Sequence, residues 1–275
     1  MTDRYAVVGN PVAHSKSPEI HAAFARQTAQ DIEYSKLLAP LDGFRRTVDT
    51  FRAAGGRGIN VTVPFKLEAF DAADEASGRA KDAQAANVLQ FDNGRIRADN
   101  TDGTGLMRDV EHNLGFELAG KRVLLLGAGG AAQGVLAPLL EHGPRIVTIA
   151  NRNAEKALRL AETFRSKPAA ATSVLLGLGF GGLAGHHFDL VINATSSSLQ
   201  GELPPLPAEV FAAGALAYDM MYGSTTTPFL AFAAAHGAKT SDGLGMLVEQ
   251  AAESFLLWRG VRPATAPVIA LLRKP

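Results

Sequence analysis

Cysteine is absent from this 275-residue chain. Its absence excludes disulfide bonds, thiol nucleophiles and iron–sulfur clusters, and it favours a cytosolic, cytoplasmic setting. The chain also lacks an excess of charge of either sign, with 27 Lys and Arg residues against 27 Asp and Glu residues. A net charge of zero provides no electrostatic attraction to nucleic acid or to an anionic membrane, so neither is expected as a partner.

Long apolar runs and metal-ligand spacings are lacking as well. No apolar run reaches the about 20 residues that a membrane span requires. The first residues lead into a short strand, which is not the pattern of a signal peptide. The seven histidines show no H-E-x-x-H or comparable spacing, so no metal is predicted. The rest of the composition, 47% hydrophobic and 20% charged, is typical of a globular enzyme with a sizeable core.

The motif around which the chain is organised is a glycine cluster that follows a short apolar run. Val123–Leu126 leads into Gly127-Ala128-Gly129-Gly130, and a second apolar segment of helical length follows. An unbroken apolar run suits a strand that is buried on both faces of a parallel sheet. The glycines therefore occupy a strand-to-helix turn of the kind that binds a dinucleotide. Gly127 allows the tight turn, Gly129 the approach of a pyrophosphate, and Ala132 close helix packing.

A second glycine cluster, at positions 177–182, matches G-x-G-x-x-G more literally. No helical segment follows it, since Leu183-Ala184-Gly185-His186-His187 leads straight into the next apolar run. A dinucleotide turn needs the N-terminus of a helix for the phosphates. We therefore expect a flexible loop at 177–182 and place the nucleotide at Gly127.

The residues after the next predicted strand, 145–150, bear on the choice of cofactor. An NAD enzyme presents an acidic residue there to the ribose 2′-OH, but this chain has Asn151-Arg152-Asn153. An arginine at that point suits the 2′-phosphate of NADP, because a guanidinium matches phosphate geometry. Lys156 adds positive charge, whereas Glu155 is expected to turn into its helix.

Strands alternate with helices along the first third of the chain, which implies an α/β domain. Three polar clusters fall in its loops or at its strand ends, where α/β sheets place their sites: Ser15 with Ser17, Asn60 with Thr62 and Lys66, and Asn87. Further candidates follow later in the chain, at Asp102 and Gln250.

Each of these polar residues also has an ordinary structural alternative. Ser17 could cap a helix, Thr62 could be a plain strand residue, Lys66 a solvated lysine, Asn87 a turn residue, Asp102 a helix cap, and Gln250 a mid-helix residue facing solvent. Taken one at a time, the residues leave these alternatives open.

Taken together and in order, the motifs closely resemble those of the shikimate dehydrogenase family. They are Gly9–Pro18, Asn60–Lys66, Asn100–Gly103, Gly127–Gly130, Asn151-Arg152, Asn193–Ser196, Tyr218–Tyr222, and Asp242–Leu247 with Gln250. The resemblance extends from the first strand to beyond Gln250, and it favours functional roles for Lys66, Asp102 and Gln250. A few positions depart from the family pattern, namely Gln84 and Val88 around Asn87, Asn153, and Ser198 where glycine is common.

The resemblance implies an enzyme that reduces 3-dehydroshikimate to shikimate reversibly with NADPH, in aromatic amino-acid (chorismate) biosynthesis. It implies that Lys66 and Asp102 form the catalytic pair, and that Ser15 and Ser17 hold the substrate carboxylate with help from Tyr222. The residues implied at the ring hydroxyls are Thr62, Lys66, Asn87, Asp102 and Gln250. Those implied at NADP are Gly127, Ala128, Gly129, Gly130, Ala131, Asn151, Arg152, Lys156, Thr195, Met220, Gly243 and Met246.

The resemblance also implies two α/β domains. The first, residues 1–101 with 241–275, is a substrate domain with a mostly parallel sheet, to which the C-terminal helices return. The second, residues 102–240, is a doubly wound Rossmann-type NADP domain. The expected partner is a small-molecule substrate, and the expected assembly is a monomer or a homodimer.

Two rival functions are considered. One is a quinate/shikimate dehydrogenase with relaxed substrate or cofactor choice. Arg152 argues against NAD as the main cofactor of such an enzyme. The other is a non-catalytic NADP-binding paralogue, which would be expected to have lost Lys66 or Asp102.

Overall fold

The computed structural model describes residues 2–273, and these residues form two α/β units. One unit contains the described residues up to Gly105 and those from Leu247 onward, and the other is Leu106–Met246. The predicted fold class, two α/β domains with the C-terminal helices returning to the first, is confirmed. The chain passes between the units inside two helices, whereas the sequence analysis placed the passages at 101/102 and 240/241.

The first unit is built on a six-stranded mixed sheet. Its strands are β1 Asp3–Gly9, β2 Ile32–Leu38, β3 Gly56–Val61, β4 Glu75–Ala76, β5 Val88–Asp92 and β6 Arg95–Asp99. Its helices are α1 Ser17–Thr28, α2 Phe44–Ala53, α3 Lys66–Asp71 and α4 Gly78–Ala83, followed by α5 Asp102–Arg108, in which the chain leaves the unit. The strand order is β2-β1-β3-β5-β6-β4, and β5 runs antiparallel to both of its neighbours.

The C-terminal part of the chain packs against α1 in the first unit. Ile20 and Phe24 stand four residues apart on α1, so they share one face of the helix. They form a buried cluster with Val248 and Phe255 of a 16-residue helix, which we label α9 (Leu244–Arg259). This packing holds the part of α9 that carries Gln250 inside the unit.

The second unit is a six-stranded sheet in which every recorded strand pair is parallel. Its strands are β7 Arg122–Leu126, β8 Ile146–Asn151, β9 Val174–Gly179, β10 Phe188–Asn193, β11 Phe211–Asp219 and β12 Lys239–Ser241. Its helices are α6 Gly130–Glu141, α7 Ala154–Arg165 and α8 Pro228–Ala235; the last helix of the chain, α10 Ala266–Leu272, belongs to the first unit. The strand order β9-β8-β7-β10-β11-β12 is doubly wound, and its direction reverses between β7 and β10.

The glycine-rich segment 177–182 is not the loop that the sequence analysis expected. Its first part belongs to the edge strand β9, and Phe180–Leu183 forms a 3₁₀-helical turn. A Cβ on Gly177 would come within 2.6 Å of the backbone of Ala157 on α7. Glycine is needed here because the strand and the helix approach closely. The expectation of a flexible loop was therefore wrong.

The helices of the structure are short. The longest helix described is α9, with 16 residues. Within residues 2–273, no helix is both long enough and apolar enough to cross a membrane.

Candidate active site

Lys66 and Asp102 form an ion pair in the first unit. Lys66 is the first residue of α3, after the turn that follows β3, and Asp102 is the first residue of α5, soon after β6. Lys66 Nζ lies 2.5 Å from Asp102 Oδ2, and the side chains are 30% and 14% exposed. An ammonium group at the start of a helix is disfavoured by the helix dipole, and the neighbouring carboxylate offsets this cost. The pair combines a proton donor and a proton acceptor with access from solvent.

Asn87 fixes the orientation of Asp102. It is 2% exposed, and its Nδ2 donates to Asp102 Oδ1 at 2.8 Å and to Gln250 Oε1 at 3.2 Å. Its own Oδ1 accepts the backbone N–H of Thr101 at 2.8 Å, so the amide is held from both ends. One oxygen of Asp102 therefore accepts from an ammonium and the other from an amide. The alternative that Gln250 faces solvent is wrong, since Gln250 is only 8% exposed.

Thr101 is a site residue to which the sequence analysis assigned no role. It is fully buried, and its Oγ1 donates to the backbone carbonyl of Gln250 at 3.1 Å. The same hydroxyl accepts from Asn87 Nδ2 at 3.0 Å. Its position beside Asp102 in the Asn100–Gly103 motif is the only signal in the sequence, because its partners are distant along the chain.

Asn60 supports Asn87 from the other side. Its Nδ2 donates to the backbone carbonyl of Asn87 at 3.3 Å and to Ser254 Oγ at 2.9 Å. Its Oδ1 accepts from the hydroxyl of Tyr34 at 2.7 Å. Burial raises the pKa of the Tyr34 phenol well above its usual value, so Tyr34 stays a donor at neutral pH. The polar cluster of Lys66, Asp102 and Asn87 is thus supported by Asn60, whose amide oxygen and nitrogen both have hydrogen-bond partners.

Ser15 and Ser17 lie together at the start of α1. Ser15 Oγ donates to Ser17 Oγ at 3.2 Å, and the backbone N–H of Ser17 donates to Ser15 Oγ at 3.3 Å. The cap position of α1 is Lys16, which makes no side-chain cap bond, so the alternative that Ser17 caps the helix is wrong. The two hydroxyls lie side by side, and because a hydroxyl hydrogen rotates freely, both can turn to donate to an acceptor such as a carboxylate.

Thr62 lies just beyond the end of β3, beside β1. Its backbone N–H donates to the carbonyl of Val8 at 2.9 Å. A Cβ on Gly9 would overlap Cγ2 of Thr62, so a glycine at that position is what allows the threonine to lie there. The residue is half-buried and follows the strand that leads to Lys66.

Tyr222 belongs to the second unit, in the loop after β11. It is half-buried, and burial raises the pKa of its phenol. The hydroxyl therefore remains protonated at neutral pH and can donate a hydrogen bond.

The glycine cluster of the second unit has the predicted strand–turn–helix arrangement. Gly127 follows β7 with φ +105°, a conformation that L side chains rarely adopt, and a Cβ there would meet the carbonyl oxygen of Ala194 at 3.2 Å. A Cβ built on Gly129 or on Gly130 meets no atom within 4 Å, so the space before α6 is open. Ala132 is fully buried against the sheet, as expected. The exposed N-terminus of α6 offers free N–H groups to a pyrophosphate.

Arg152 lies at the mouth of a cavity of about 490 Å³ in the second unit, next to the end of β8. Its side chain is 86% exposed, and Lys156 also lines the cavity. Glu155 is expected to turn into its helix, and its Oε1 indeed lies 3.0 Å from Nη1 of Arg159, four residues further along α7. The sequence analysis missed Glu202, whose Oε2 lies 3.7 Å from Arg152 Nη2 on the same cavity wall.

The remaining residues predicted at the cofactor follow β10, β11 and β12. Thr195 accompanies Arg152 along the cavity wall. Gly243 lies directly against Met220, since a Cβ on Gly243 would overlap the Met220 carbonyl oxygen. Met246 is 7% exposed and belongs to the core of the unit. The open glycine turn and the exposed Arg152 fit a dinucleotide that carries an additional phosphate.

Known proteins are similar to this chain over its whole length. Three family models match it: a shikimate dehydrogenase substrate-binding domain at residues 7–89, a shikimate/quinate 5-dehydrogenase model at 109–200, and a shikimate 5′-dehydrogenase C-terminal domain at 243–273. A shikimate dehydrogenase (NADP⁺) of Aromatoleum aromaticum is 61% identical over 273 residues, which covers 99% of this chain and 97% of the relative.

Two solved structures illustrate the similarity of fold. A crystal structure of an Ael1 enzyme from Pseudomonas putida is 51% identical with a TM-score of 0.92, and the match covers 100% of this chain and 99% of the other. The shikimate 5-dehydrogenase of Thermus thermophilus, solved in complex with NADP(H) and shikimate, is 33% identical with a TM-score of 0.87, and the match covers 99% of each chain.

Proposed function

The chain belongs to the shikimate dehydrogenase family and is an NADP-dependent oxidoreductase; from this premise we propose that it reduces 3-dehydroshikimate to shikimate reversibly, with Lys66 and Asp102 in the proton transfer. The single observation that carries the residue assignment is the Lys66–Asp102 pair, held by the buried amide of Asn87. Lys66, Asn87 and Asp102 are far apart in the sequence, yet the first two side chains both donate to the carboxylate of the third.

The chemistry of ketone reduction matches this pair. When bound, NADPH supplies the hydride to the carbonyl carbon. The developing alkoxide then needs a positive charge and a proton, and Lys66 Nζ provides both. Asp102 Oδ2, at 2.5 Å, accepts a proton from Nζ in the reverse direction, where the substrate hydroxyl must be deprotonated.

The substrate is assigned to the first unit. A carboxylate accepts hydrogen bonds from the hydroxyls of Ser15 and Ser17. The phenol of Tyr222, which stays protonated at neutral pH, is a candidate for a further donor. The ring hydroxyls pair with Thr62, Asn87 and Gln250, which are neutral. The threonine hydroxyl can both donate and accept a hydrogen bond, and each amide has a donor nitrogen and an acceptor oxygen. Uncharged partners suit a substrate whose hydroxyl groups are themselves uncharged.

The cofactor is assigned to the second unit. The turn from Gly127 to Ala131 and the N-terminus of α6 bind the pyrophosphate. Arg152, Lys156 and Asn151 bind the phosphate that distinguishes NADP from NAD. Thr195, Met220, Gly243 and Met246 complete the site. The support for this assignment is the open space at the glycine turn and the charge of the Arg152 cavity.

One assay tests the proposal. Absorbance of the reduced nicotinamide is followed while shikimate and quinate are each crossed with NADP⁺ and NAD⁺. We expect shikimate with NADP⁺ to give the highest kcat/KM. Equal rates with quinate would favour the alternative that the shikimate/quinate family model names. If neither shikimate oxidation nor reduction of 3-dehydroshikimate occurs, the chain is a non-catalytic NADP-binding paralogue and the proposal is wrong.

The oligomeric state, expected to be a monomer or a homodimer, stays a prediction.

A further inference from the structure

Asp219 is a buried carboxylate for which the reaction itself has no use. It is the last residue of β11 and is fully buried. The chain leaves β11 there and enters the loop that carries Met220. The neighbouring strand β10 ends at Asn193, also fully buried, and enters the loop that carries Thr195. Both loops contain residues assigned above to the cofactor.

The first oxygen of Asp219 connects the two strand ends. Oδ1 accepts the backbone N–H of Met221 at 3.1 Å and Nδ2 of Asn193 at 3.3 Å. The backbone adds a parallel link, because the N–H of Met220 donates to the carbonyl of Asn193 at 3.0 Å. The loop after β11 is thus fixed to the end of β10.

The second oxygen connects two further segments. Oδ2 accepts from Ser198 Oγ at 2.7 Å and from Thr227 Oγ1 at 2.6 Å. Ser198 belongs to the loop after β10, and Thr227 is the residue that caps α8. A glycine at position 198 would leave Oδ2 with Thr227 as its only side-chain partner.

Asn193 links Asp219 to Thr195 through hydrogen bonds. Its Oδ1 accepts the backbone N–H of Thr195 at 3.1 Å and the Thr195 hydroxyl at 2.7 Å. Its Nδ2, besides bonding to Asp219, donates to Ser198 Oγ at 3.0 Å. Asp219, Asn193 and Ser198 therefore form a closed triangle of side-chain hydrogen bonds, and Thr195 is attached to one corner of it.

The four hydrogen-bond partners of the Asp219 side chain within residues 2–273 are neutral groups. Hydrogen bonds to a charged group are shorter and stronger than neutral ones, and a buried carboxylate that loses a donor has no water to replace it. These hydrogen bonds restrain both loops, and a restrained loop loses less entropy when a ligand binds to it.

We propose that Asp219 is a positioning residue for NADP: through Ser198 and Asn193 it sets the loop after β10, and through Met221 it sets the loop after β11. The proposal rests on the assignment of NADP to the second unit. Under this proposal Ser198 contributes to cofactor affinity. It stands at a position where this chain departs from its family.

The test compares two variants that each remove one donor from the same oxygen. Ser198→Ala releases the loop after β10, whereas Thr227→Val releases the cap of α8. The Kd of NADP⁺ is measured by titration calorimetry without substrate, and the Tm by calorimetric melting. We expect Ser198→Ala to weaken NADP⁺ binding about three- to tenfold, and Thr227→Val to lower Tm at least as much while the Kd stays within twofold. Ser198→Thr, which keeps the hydroxyl, is expected to restore most of the affinity.

The kinetic readout separates positioning from general destabilisation. Ser198→Ala is expected to raise KM for NADPH more than it lowers kcat, and to leave KM for 3-dehydroshikimate near its wild-type value. If Ser198→Ala leaves the Kd of NADP⁺ unchanged, or if both variants weaken binding in proportion to their loss of Tm, Asp219 is only structural and the inference is overturned. The failure of wild-type protein to reduce 3-dehydroshikimate would instead refute the proposed function, while the NADP⁺ titrations would still decide the role of Asp219.

Discussion

At the scale of single residues, Lys66 is the most direct test of the chemistry. We expect Lys66→Ala to lower kcat by about 10²–10⁴, the usual contribution of general acid–base catalysis. The Kd of NADP⁺ is expected to change little, because the residues proposed to bind the cofactor belong to the second unit. Lys81→Ala, which removes an exposed lysine of α4, serves as the control for loss of a positive charge. Steady-state kinetics of both variants provide the measurement, and a near-normal kcat in Lys66→Ala would remove Lys66 from the mechanism.

Arg152 and Glu202 contribute opposite charges to the cavity that we propose for the cofactor phosphate. A charge-assisted hydrogen bond contributes about 1.5–3 kcal/mol, so Arg152→Ala should raise KM for NADPH roughly tenfold to 150-fold and leave KM for NADH nearly unchanged. Glu202 occupies Arg152 with an exposed ion pair at 3.7 Å and adds a negative charge to the cavity. Because such a pair is worth at most about 1 kcal/mol, Glu202→Gln should lower KM for NADPH up to about fivefold.

A double-mutant cycle decides how Glu202 acts. In the Arg152→Ala background, Glu202→Gln should have a smaller effect, because the arginine that Glu202 occupies is gone. Equal weakening of NADPH and NADH by Arg152→Ala would show that Arg152 contacts the adenine and does not select the phosphate.

His21 makes stability depend on pH. It is fully buried, and its ring stacks on that of Tyr34 with 4.2 Å between the ring centroids. Burial lowers its pKa from 6.5 to about 3. Between these values the unfolded chain binds a proton that the folded protein does not, so the free energy of unfolding falls as pH decreases from about 6.5 towards 3. Urea unfolding at several pH values should show this slope, and His21→Phe should reduce it by close to one proton. Identical slopes in both proteins would contradict the assignment.

At the scale of elements, local patterns were sufficient where a strand and a helix are adjacent in sequence. The turn at Gly127 was predicted because its apolar strand, its glycines and its helix lie within one short stretch. The hydrogen bonds around the buried Asn87 were not predicted, because their partners Asn60, Thr101 and Gln250 lie 27, 14 and 163 positions away along the chain. Sequence motifs predicted Lys66, Asn87, Asp102 and Gln250 as site residues, but they did not reveal which side chains hold the others in place.

The β5–β6 hairpin was missed although the sequence contains its signal. Asn93 and Gly94 form the turn with φ of +48° and +79°, and Asn-Gly is the strongest short-range mark of a hairpin. The antiparallel pair that it creates makes the sheet of the first unit mixed. The strand β9 was missed for the opposite reason, because its glycines indicate a loop when the neighbouring helix is not known.

The close approach of β9 and α7 gives a prediction about stability. In Gly177→Ala the new methyl group would lie 2.6 Å from the α7 backbone, so the strand or the helix must shift. Overpacking of this kind costs about 1–3 kcal/mol, which chemical denaturation can measure. Gly181→Ala is the matched control, since a Cβ there meets no atom within 4 Å. If Gly177→Ala is as stable as the control, the packing of β9 on α7 is looser than the structure indicates.

At the scale of the whole molecule, each of the four buried apolar clusters found within residues 2–273 lies inside one of the two units. Those around Ile59 and Phe24 belong to the first, and those around Leu125 and Phe229 belong to the second. The predicted ligand sites divide in the same way, with the proton-transfer pair in one unit and the dinucleotide turn in the other. Each ligand should therefore protect primarily the unit that holds most of its residues.

Hydrogen exchange measured by mass spectrometry can test this division. A ligand that binds only the native state raises the free energy of any local opening that abolishes binding, and so slows hydrogen exchange. The increase is about 2.7 kcal/mol when the ligand concentration is 100 times its Kd. NADP⁺ alone should slow exchange in peptides that cover 127–141 and 194–200. Shikimate alone should slow exchange in peptides that cover 15–25, 62–70 and 87–102. NAD⁺ at the same concentration serves as the control and should protect 127–141 less than NADP⁺, because it lacks the phosphate that we assign to Arg152. Shikimate protecting 127–141 as strongly as NADP⁺ would show that the two sites are not divided between the units.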